Sequence, residues 1–385
     1  MRHYLRHLDH LMLATAIAIS AFGLWIIENA TANDIPGNPR YYFNRELAYV
    51  VVGSAGLLIL AAIPPSVFRR YQWWLYGFVL VTTASVLAVG STVQGGQRWI
   101  NLGAFQFQPS EFGKLLLILG LSGLLVRYRG SVSENKLTLM ALGYMAVPAL
   151  LVFLEPDFGT ALVYSAITLG ILFVHGAPWR HFVWLGLAGV VMLALVFSIL
   201  PAAGVQVLQP YQKDRLTSFL HPDRVDTKGD GYHLTQSQIA IGNGGVTGRG
   251  VEGATQTRLD YLPEHATDFV FSVVGEERGF VGAAWLLALY MLLIWRGLKL
   301  ITYSRSTYGG LVAAGVVSML MFQIFINIGM TIGIAPITGI PLPFMSYGGS
   351  HTLTNLLAVG VLQSIHVHAQ TADEPVSYGY GYSYG

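Results

Sequence analysis

The 385-residue chain contains no cysteine, which removes disulfide frameworks, thiolate zinc sites and cysteine nucleophiles from consideration. Charge is also scarce. Asp, Glu, Lys and Arg make up 11% of the residues, where a soluble domain carries about 25%. No H-x-x-x-H or similar metal spacing occurs, so a metal cage built from protein side chains alone is not expected. Walker A, G-x-S-x-G and dinucleotide fingerprints are missing too. Nucleotide-fuelled transport and synthesis from a nucleotide sugar are therefore unsupported. A net charge of +2 with no basic cluster or nucleic-acid motif gives no reason to expect nucleic acid as a partner.

What the chain has instead is apolar length: 53% of it is hydrophobic. Runs near 11–27, 46–63, 72–91, 111–126, 138–154, 159–175, 181–200, 280–298, 309–333 and 351–367 approach the ~20 residues that cross a bilayer as a helix. The expected fold is an all-α, polytopic integral membrane protein with about ten transmembrane helices. Basic residues then fall on every second connection. Arg2 and Arg6 precede the first span, Arg69 and Arg70 follow the second, and Arg127, Arg129 and Lys136 follow the fourth. Arg180 follows the sixth, and Arg296, Lys299 and Arg305 flank the end of the eighth. By the positive-inside rule both termini are cytoplasmic. The basic start "MRHYLRHLDH" and the "ATA" near residue 31 resemble a secretory signal, but the run 11–27 is long for one, so an uncleaved first span is expected.

Residues 1–367 read as a single polytopic membrane domain with one large extracytoplasmic loop, 201–267. A connection that long is usually functional or disordered; Tyr211, Phe219, Tyr232 and Leu234 argue for partial order. The polar "GEER" within "DFVFSVVGEERGF" suits a helix over 268–279 lying near the outer interface and ended by Gly279. Residues 368–385, with the Tyr/Gly-rich "ADEPVSYGYGYSYG", read as a disordered cytoplasmic tail.

On this topology the unusual polar stretches all fall outside. Arg98, in "VQGGQRWINLG", is either an interfacial anchor beside Trp99 or an always-charged fork for a phosphate or diphosphate. Glu111 and Lys114, in "FQFQPSEFGK", share a helix face three residues apart behind Ser110, a good N-cap. They form either a self-neutralising pair at a helix entry or a site facing interior water. Asp157, in "EPDFGT", suits a turn and the cap of the next helix. Asp268, in "YLPEHATDF", is a helix cap in competition with Thr267, or a partly desolvated carboxylate suited to act as a general base. His233, His265 and His351 are also outside, widely spaced in sequence.

Taken together, "GGQRWINLG", "FQPSEFGK", "PDFGT", "YHLTQSQIAIGNGGVTGRG", "YLPEHATDFVFSVVGEERG" and "PLPFMSYGGS" resemble the bacterial shape, elongation, division and sporulation family. They run in family order over nearly the whole chain, and "GIPLPFMSYGGS" resembles the rod-shape branch more than the division branch. The resemblance implies a peptidoglycan glycosyltransferase that polymerises lipid II at the outer face of the bacterial cytoplasmic membrane, for elongation and rod shape. It implies as partners the growing glycan strand, a class B penicillin-binding protein (a transpeptidase) and other elongation-complex proteins. Asp268 falls on the essential aspartate, while Arg98, Glu111 and Lys114 fall on positions that bind substrate. Asp157, Ser346, Tyr347 and Gly348 are secondary or structural positions of the same motifs. A divalent cation (Mg or Mn) is compatible with a diphosphate leaving group, and no nucleotide is needed because the donor carries its own activation. One departure stands: where the family has His directly before "TDF", this chain has Ala266, with His265 one position earlier. The competing readings are a lipid II flippase, which would place polar sites near the midplane, and a non-catalytic scaffold, which gives Asp268 no purpose.

Overall fold

The computed structural model describes residues 7–93, 96–101, 103, 105–195, 230–259 and 261–371. Helices stand at every predicted span: α1 (His10–Ala30), α2 (Tyr41–Ala62), α4 (Gln72–Val89), α5 (Pro109–Tyr128), α6 (Glu134–Leu154), α7 (Phe158–His175), α8 (Trp179–Ala194), α12 (Val270–Tyr303), α13 (Thr307–Ile332) and α14 (Gly349–Thr371). A short α3 (Pro65–Arg70) joins α2 to α4. Among the described residues seven of these helices are long and apolar enough to cross a membrane, which makes the chain a multi-pass membrane protein. Large apolar side chains such as Trp74, Val81 and Met291 stay exposed on the outside of the bundle, where lipid rather than water is their natural solvent.

The centre of the bundle is built from α5 and α14, which are almost entirely buried, and from α13, which is buried along most of its length. Since α14 touches protein on nearly all sides, chiefly α2, it need not be apolar. It carries Ser350, His351, Thr352, Asn355 and Gln363 in its interior. Buried polar groups in a span look for partners inside the protein: the Gln363 side chain pairs with the Asp9 main chain, while Ser350, His351 and Thr352 find theirs around the site described below. Helix α5 approaches α7 closely because Gly113 has no side chain: a Cβ there would lie 2.0 Å from the Tyr164 hydroxyl. That hydroxyl donates to the carbonyl of Ser110 and ties the two helix entries together.

One departure from an all-α fold is a small antiparallel sheet between α4 and α5, ordered β1 (Ser91–Val93), β2 (Gly96–Asn101), β3 (Gln106–Phe107). In the sequence this stretch read as a polar connection, because β1 and β3 are too short for a period-2 pattern and β2 does not show one. Its pairing brings Ser91 opposite Trp99 and Ile100 opposite Phe107. The Gln97 amide closes it by donating to the Gly90 carbonyl (2.9 Å). The sheet carries Arg98 on its central strand.

The described part of the long connection is helical: α9 (Asp230–Gly244), α10 (Gly250–Gly253) and α11 (Thr255–Arg258). Tyr211 and Phe219 lie outside the described residues. The glycines of "IGNGGVTGRG" have a physical reason. At Gly248 a Cβ would lie 2.2 Å from the Glu277 carbonyl oxygen, so only glycine lets this loop meet α12 backbone to backbone. At the contact α12 is broken by Gly279, with φ 62° and ψ −160°, a conformation open essentially to glycine alone. The amides freed by the break are satisfied by the loop: Phe280 N–H donates to the Gly245 carbonyl (2.9 Å) and Val281 N–H to that of Val246 (3.0 Å). Buried Glu276 accepts from the Gln256 and Thr257 amides and the Thr257 hydroxyl, which secures the start of α11.

Two expected boundaries move. The helix placed at 268–279 begins at Val270 and continues past its break into the span. The tail expected from 368 gives its first residues to α14, which runs to Thr371; the rest lies outside the described residues.

Candidate active site

At one end of the bundle the entries of α2, α5, α7, α12 and α14 meet the small sheet and enclose a cavity of about 490 Å³. Arg98, Glu111, Asp157, Asp268, Tyr347 and Gly348, separated by up to 250 positions in sequence, all line it. The remaining sequence-derived residues, Lys114 and Ser346, sit directly behind its wall.

Arg98 reaches across from β2 to the turn between α6 and α7. Its Nε donates to the Glu155 carbonyl (3.3 Å) and its Nη2 to that of Pro156. Two main-chain acceptors thus fix a guanidinium on the wall of the cavity. Asp157 does what its sequence position suggests: Oδ1 accepts from the Thr160 amide at 3.1 Å and caps α7, while Oδ2 accepts from the Gln108 side chain (3.2 Å). Between them sits Glu155, 0% exposed, whose carboxyl oxygens have no hydrogen-bond partner among the described residues. Burial pushes this carboxyl up to about 8, with the charge of Asp157 adding to the rise and Arg98 opposing it.

Helix α5 starts two residues earlier than a cap at Ser110 would dictate. Gln108 occupies the cap position and Pro109 the first helical one, where its fixed φ and missing N–H are an advantage. Ser110 is therefore not the cap, and Glu111 stands in the first turn, where a negative charge suits the helix dipole. The pair inferred from i,i+3 spacing is formed: Lys114 Nζ lies 2.5 Å from Glu111 Oε1, with side chains 1% and 4% exposed. The second carboxylate oxygen, Oε2, has His351 Nδ1 at 3.1 Å.

Asp268 lies in the turn before α12, half-buried, and lines the cavity. Neither it nor Thr267 caps the helix: Phe269 holds the cap position and makes no side-chain bond there. What fixes Asp268 is a set of bonds to the main chain of its turn. Asn327 Nδ2 donates to the Asp268 carbonyl (2.9 Å), Ser346 Oγ to that of Thr267 (2.6 Å) and the Tyr347 amide to that of Ala266 (2.8 Å). The "MSYGGS" segment is thus the bed on which the Asp268 turn lies. That segment is held in turn by Glu46, which accepts from the Gly348 amide (3.1 Å) and the Thr352 hydroxyl (2.5 Å). His265 faces away from this chemistry, with Nε2 3.3 Å from Asp34 Oδ2.

Glu46, Asn327 and His351 are site residues that the sequence reading did not single out. A signal existed for the first two: each is a polar residue inside a predicted span, which usually marks function. His351 was noted as isolated in sequence, yet it is a neighbour of Glu111.

Among the described residues no three metal-ligating side chains converge at one point, and both Glu111 oxygens already have partners. The described residues therefore offer no cage of side chains for a divalent cation.

With this geometry in view, the comparisons with known proteins agree in one direction. A family model described as "Cell cycle protein", covering FtsW, RodA and SpoVE, matches residues 7–371. This chain belongs to the FtsW/RodA/SpoVE family. It is 37% identical over 370 residues to the peptidoglycan glycosyltransferase MrdB of Escherichia coli, covering 96% of each chain. To the stage V sporulation protein E of Bacillus subtilis it is 34% identical over 363 residues, covering 93% of this chain and 96% of that one. Among solved structures it resembles a chain of a peptidoglycan synthase complex that coordinates polymerization and crosslinking. There the TM-score is 0.78 at 31% identity, over 94% of this chain and 98% of that one. The rod shape determining protein RodA of Thermus thermophilus gives a TM-score of 0.67 at 29% identity, over 93% and 96% of the two chains. Every element lining the cavity falls within the FtsW/RodA/SpoVE match.

Proposed function

We propose that this FtsW/RodA/SpoVE member is a peptidoglycan glycosyltransferase that joins lipid II into glycan strands, with Asp268 as its general base. The observation that carries the reading is the placement of Asp268 and Arg98 on one cavity at the mouth of the bundle. The cavity volume lies within the ~300–1,000 Å³ usual for ligand sites. Lipid II is a polyprenyl diphosphate disaccharide: its tail needs the bilayer while its sugars need water, and a polar cavity at the ends of spans serves both.

In the proposed step Asp268 takes the proton of the acceptor 4-hydroxyl as its oxygen attacks the anomeric carbon of the lipid-linked strand. The bond from that carbon to the diphosphate oxygen breaks, with inversion, and polyprenyl diphosphate leaves with the electron pair. Arg98, already anchored by two carbonyls, faces the charge that develops on the leaving diphosphate without having to reorganise. Lys114 acts from behind Glu111, so that the Glu111 carboxylate, not the ammonium, meets the cavity. Asp157 holds the entry of α7, and Ser346, Tyr347 and Gly348 hold the turn that aims Asp268.

The same reading takes the chain to be one polytopic domain of ten spans in the bacterial cytoplasmic membrane, termini inside, with the 201–267 connection and the cavity outside. Its role is cell elongation and rod shape. Its partner is a class B penicillin-binding protein that crosslinks the strands, in keeping with the likeness to a complex that couples the two activities. A divalent cation, if used, is brought by the diphosphates. The test is incubation of the purified protein and its partner with lipid II, followed by gel separation of the products. Glycan strands support the reading; movement of lipid II across vesicles without strand formation assigns a transporter instead.

A further inference from the structure

The interior of α14 contains a chain of contacts that the transfer step as written does not use. Lys114 Nζ lies 2.5 Å from Glu111 Oε1, and Glu111 Oε2 lies 3.1 Å from His351 Nδ1. His351 Nε2 in turn lies 3.0 Å from Asn355 Nδ2. Lys114, Glu111, His351 and Asn355 are each no more than 3% exposed, and His351 reaches the cavity wall beside Glu111.

The direction of each bond follows from what each atom can do. The Asn355 amide nitrogen also donates to the His351 carbonyl (3.0 Å). Turning the amide over would aim its oxygen at that carbonyl, acceptor against acceptor, so the nitrogen stays where it is. An N–H at Asn355 requires a bare, accepting Nε2 on His351. The ring proton is then on Nδ1, facing the carboxylate. The two donors, an ammonium and an imidazole N–H, thus hold one oxygen of Glu111 each.

We propose that His351 is a positioning residue for glycosyl transfer: as a neutral imidazole donating from Nδ1, it locks the Glu111 carboxylate against Lys114. With each oxygen held by its own donor, Glu111 presents a fixed negative charge and does not rotate to compete with Asp268 for the acceptor proton. This assignment rests on the glycosyltransferase reading for its consequence, but not for its geometry.

The experiment compares His351→Leu and His351→Asn in the full chain bound to its transpeptidase partner, by kcat and KM for lipid II and by thermal unfolding. Leucine fills much of the space with no donor; the asparagine amide nitrogen can take the Nδ1 place. The expected result is a drop in kcat of about 10- to 100-fold for the Leu variant with little change in KM, and recovery of most of that loss by Asn. In a Glu111→Gln background the Leu change should add little, since the contact is already altered. Should the Leu variant not fold, His351→Gln, whose amide extends to the Nε2 place, serves the same comparison. A Leu or Gln variant with wild-type kcat, or an Asn variant as slow as they are, overturns the proposal. Nitrogen NMR of labelled histidine, assigned by difference from the Asn variant, tests the lock without any turnover. Protonated Nδ1 with bare Nε2 supports it, and a proton on Nε2 overturns it. Absence of strands from the unmodified protein would instead sink the glycosyltransferase reading, leaving the NMR result to decide the contact.

Discussion

Replacing Glu111 by Gln and Lys114 by Met, singly and together, separates a pair that only neutralises itself from one that serves the reaction. Both side chains are almost fully buried and 2.5 Å apart. Removing one partner of such a pair strands the other charge and is destabilising by about 3–5 kcal/mol, whereas replacing both by neutral groups of similar size is often close to neutral. The surroundings sharpen the expectation. In the Glu111→Gln single variant two donors, Lys114 Nζ and His351 Nδ1, face an amide that offers one oxygen. One of them must then meet an N–H. In the double variant the amide oxygen can serve His351 while its nitrogen lies against the methionine, so the conflict disappears. Each single variant should therefore melt several degrees lower and the double should regain most of that loss. Strand formation per folded molecule should stay low in all three, because the fixed carboxylate at the cavity wall is gone. Thermal unfolding in detergent and lipid II turnover on the same samples give both numbers. A double variant that regains turnover along with stability would refute the role in the reaction and leave a structural pair.

Glu155→Gln should raise stability at neutral and alkaline pH. A carboxyl whose folded value is raised to about 8 contributes stability fully present at low pH and lost as pH rises through that value. The wild type should accordingly lose stability between the ordinary carboxyl range and pH 8 relative to the Gln variant, as unfolding curves across that window will show. Gly248→Ala should destabilise the contact of the α9–α10 loop with α12 by roughly 1–3 kcal/mol from its positive φ alone, with more from the clash; a melting temperature equal to wild type would contradict that packing. Single cysteines at the exposed Ser131 and Thr247, unambiguous in a chain with no cysteine of its own, should label from the cytoplasmic and outer sides respectively. Labelling of both from one side would overturn the ten-span topology.

The positions of the helices were legible in the sequence because the physical requirement is crude: about 20 apolar residues per crossing. Even α14, which is rich in polar residues, showed through its Leu and Val positions, although its burial among other helices did not. The strands were invisible for the opposite reason: β1 and β3 are only two or three residues long, and the six of β2, "GQRWIN", do not alternate between apolar and polar. At the site, Arg98, Glu111, Asp157 and Asp268 could be found as polar residues at span ends. The bonds that hold them could not. The Glu46–Thr352 contact spans 306 positions and the Glu111–His351 contact 240, and no local rule joins residues so far apart. Local capping rules also misplaced two helix starts, at Ser110 and at Asp268. A proline took the first helical position in one case, and tertiary bonds to the turn carbonyls fixed the chain in the other.

That second case matters most, since Asp268 makes no cap in the structure and the base reading has to stand by itself. The direct measurement is strand formation from lipid II by purified Asp268→Asn protein bound to its partner. Asn keeps the size of the side chain and leaves untouched the main-chain bonds from Asn327, Ser346 and Tyr347 that hold the turn. Expression, melting temperature and partner binding should therefore match wild type. Turnover should fall by about 10²–10⁴-fold, because an amide cannot accept the proton. Strand formation near the wild-type rate would contradict the assignment of Asp268 as the base.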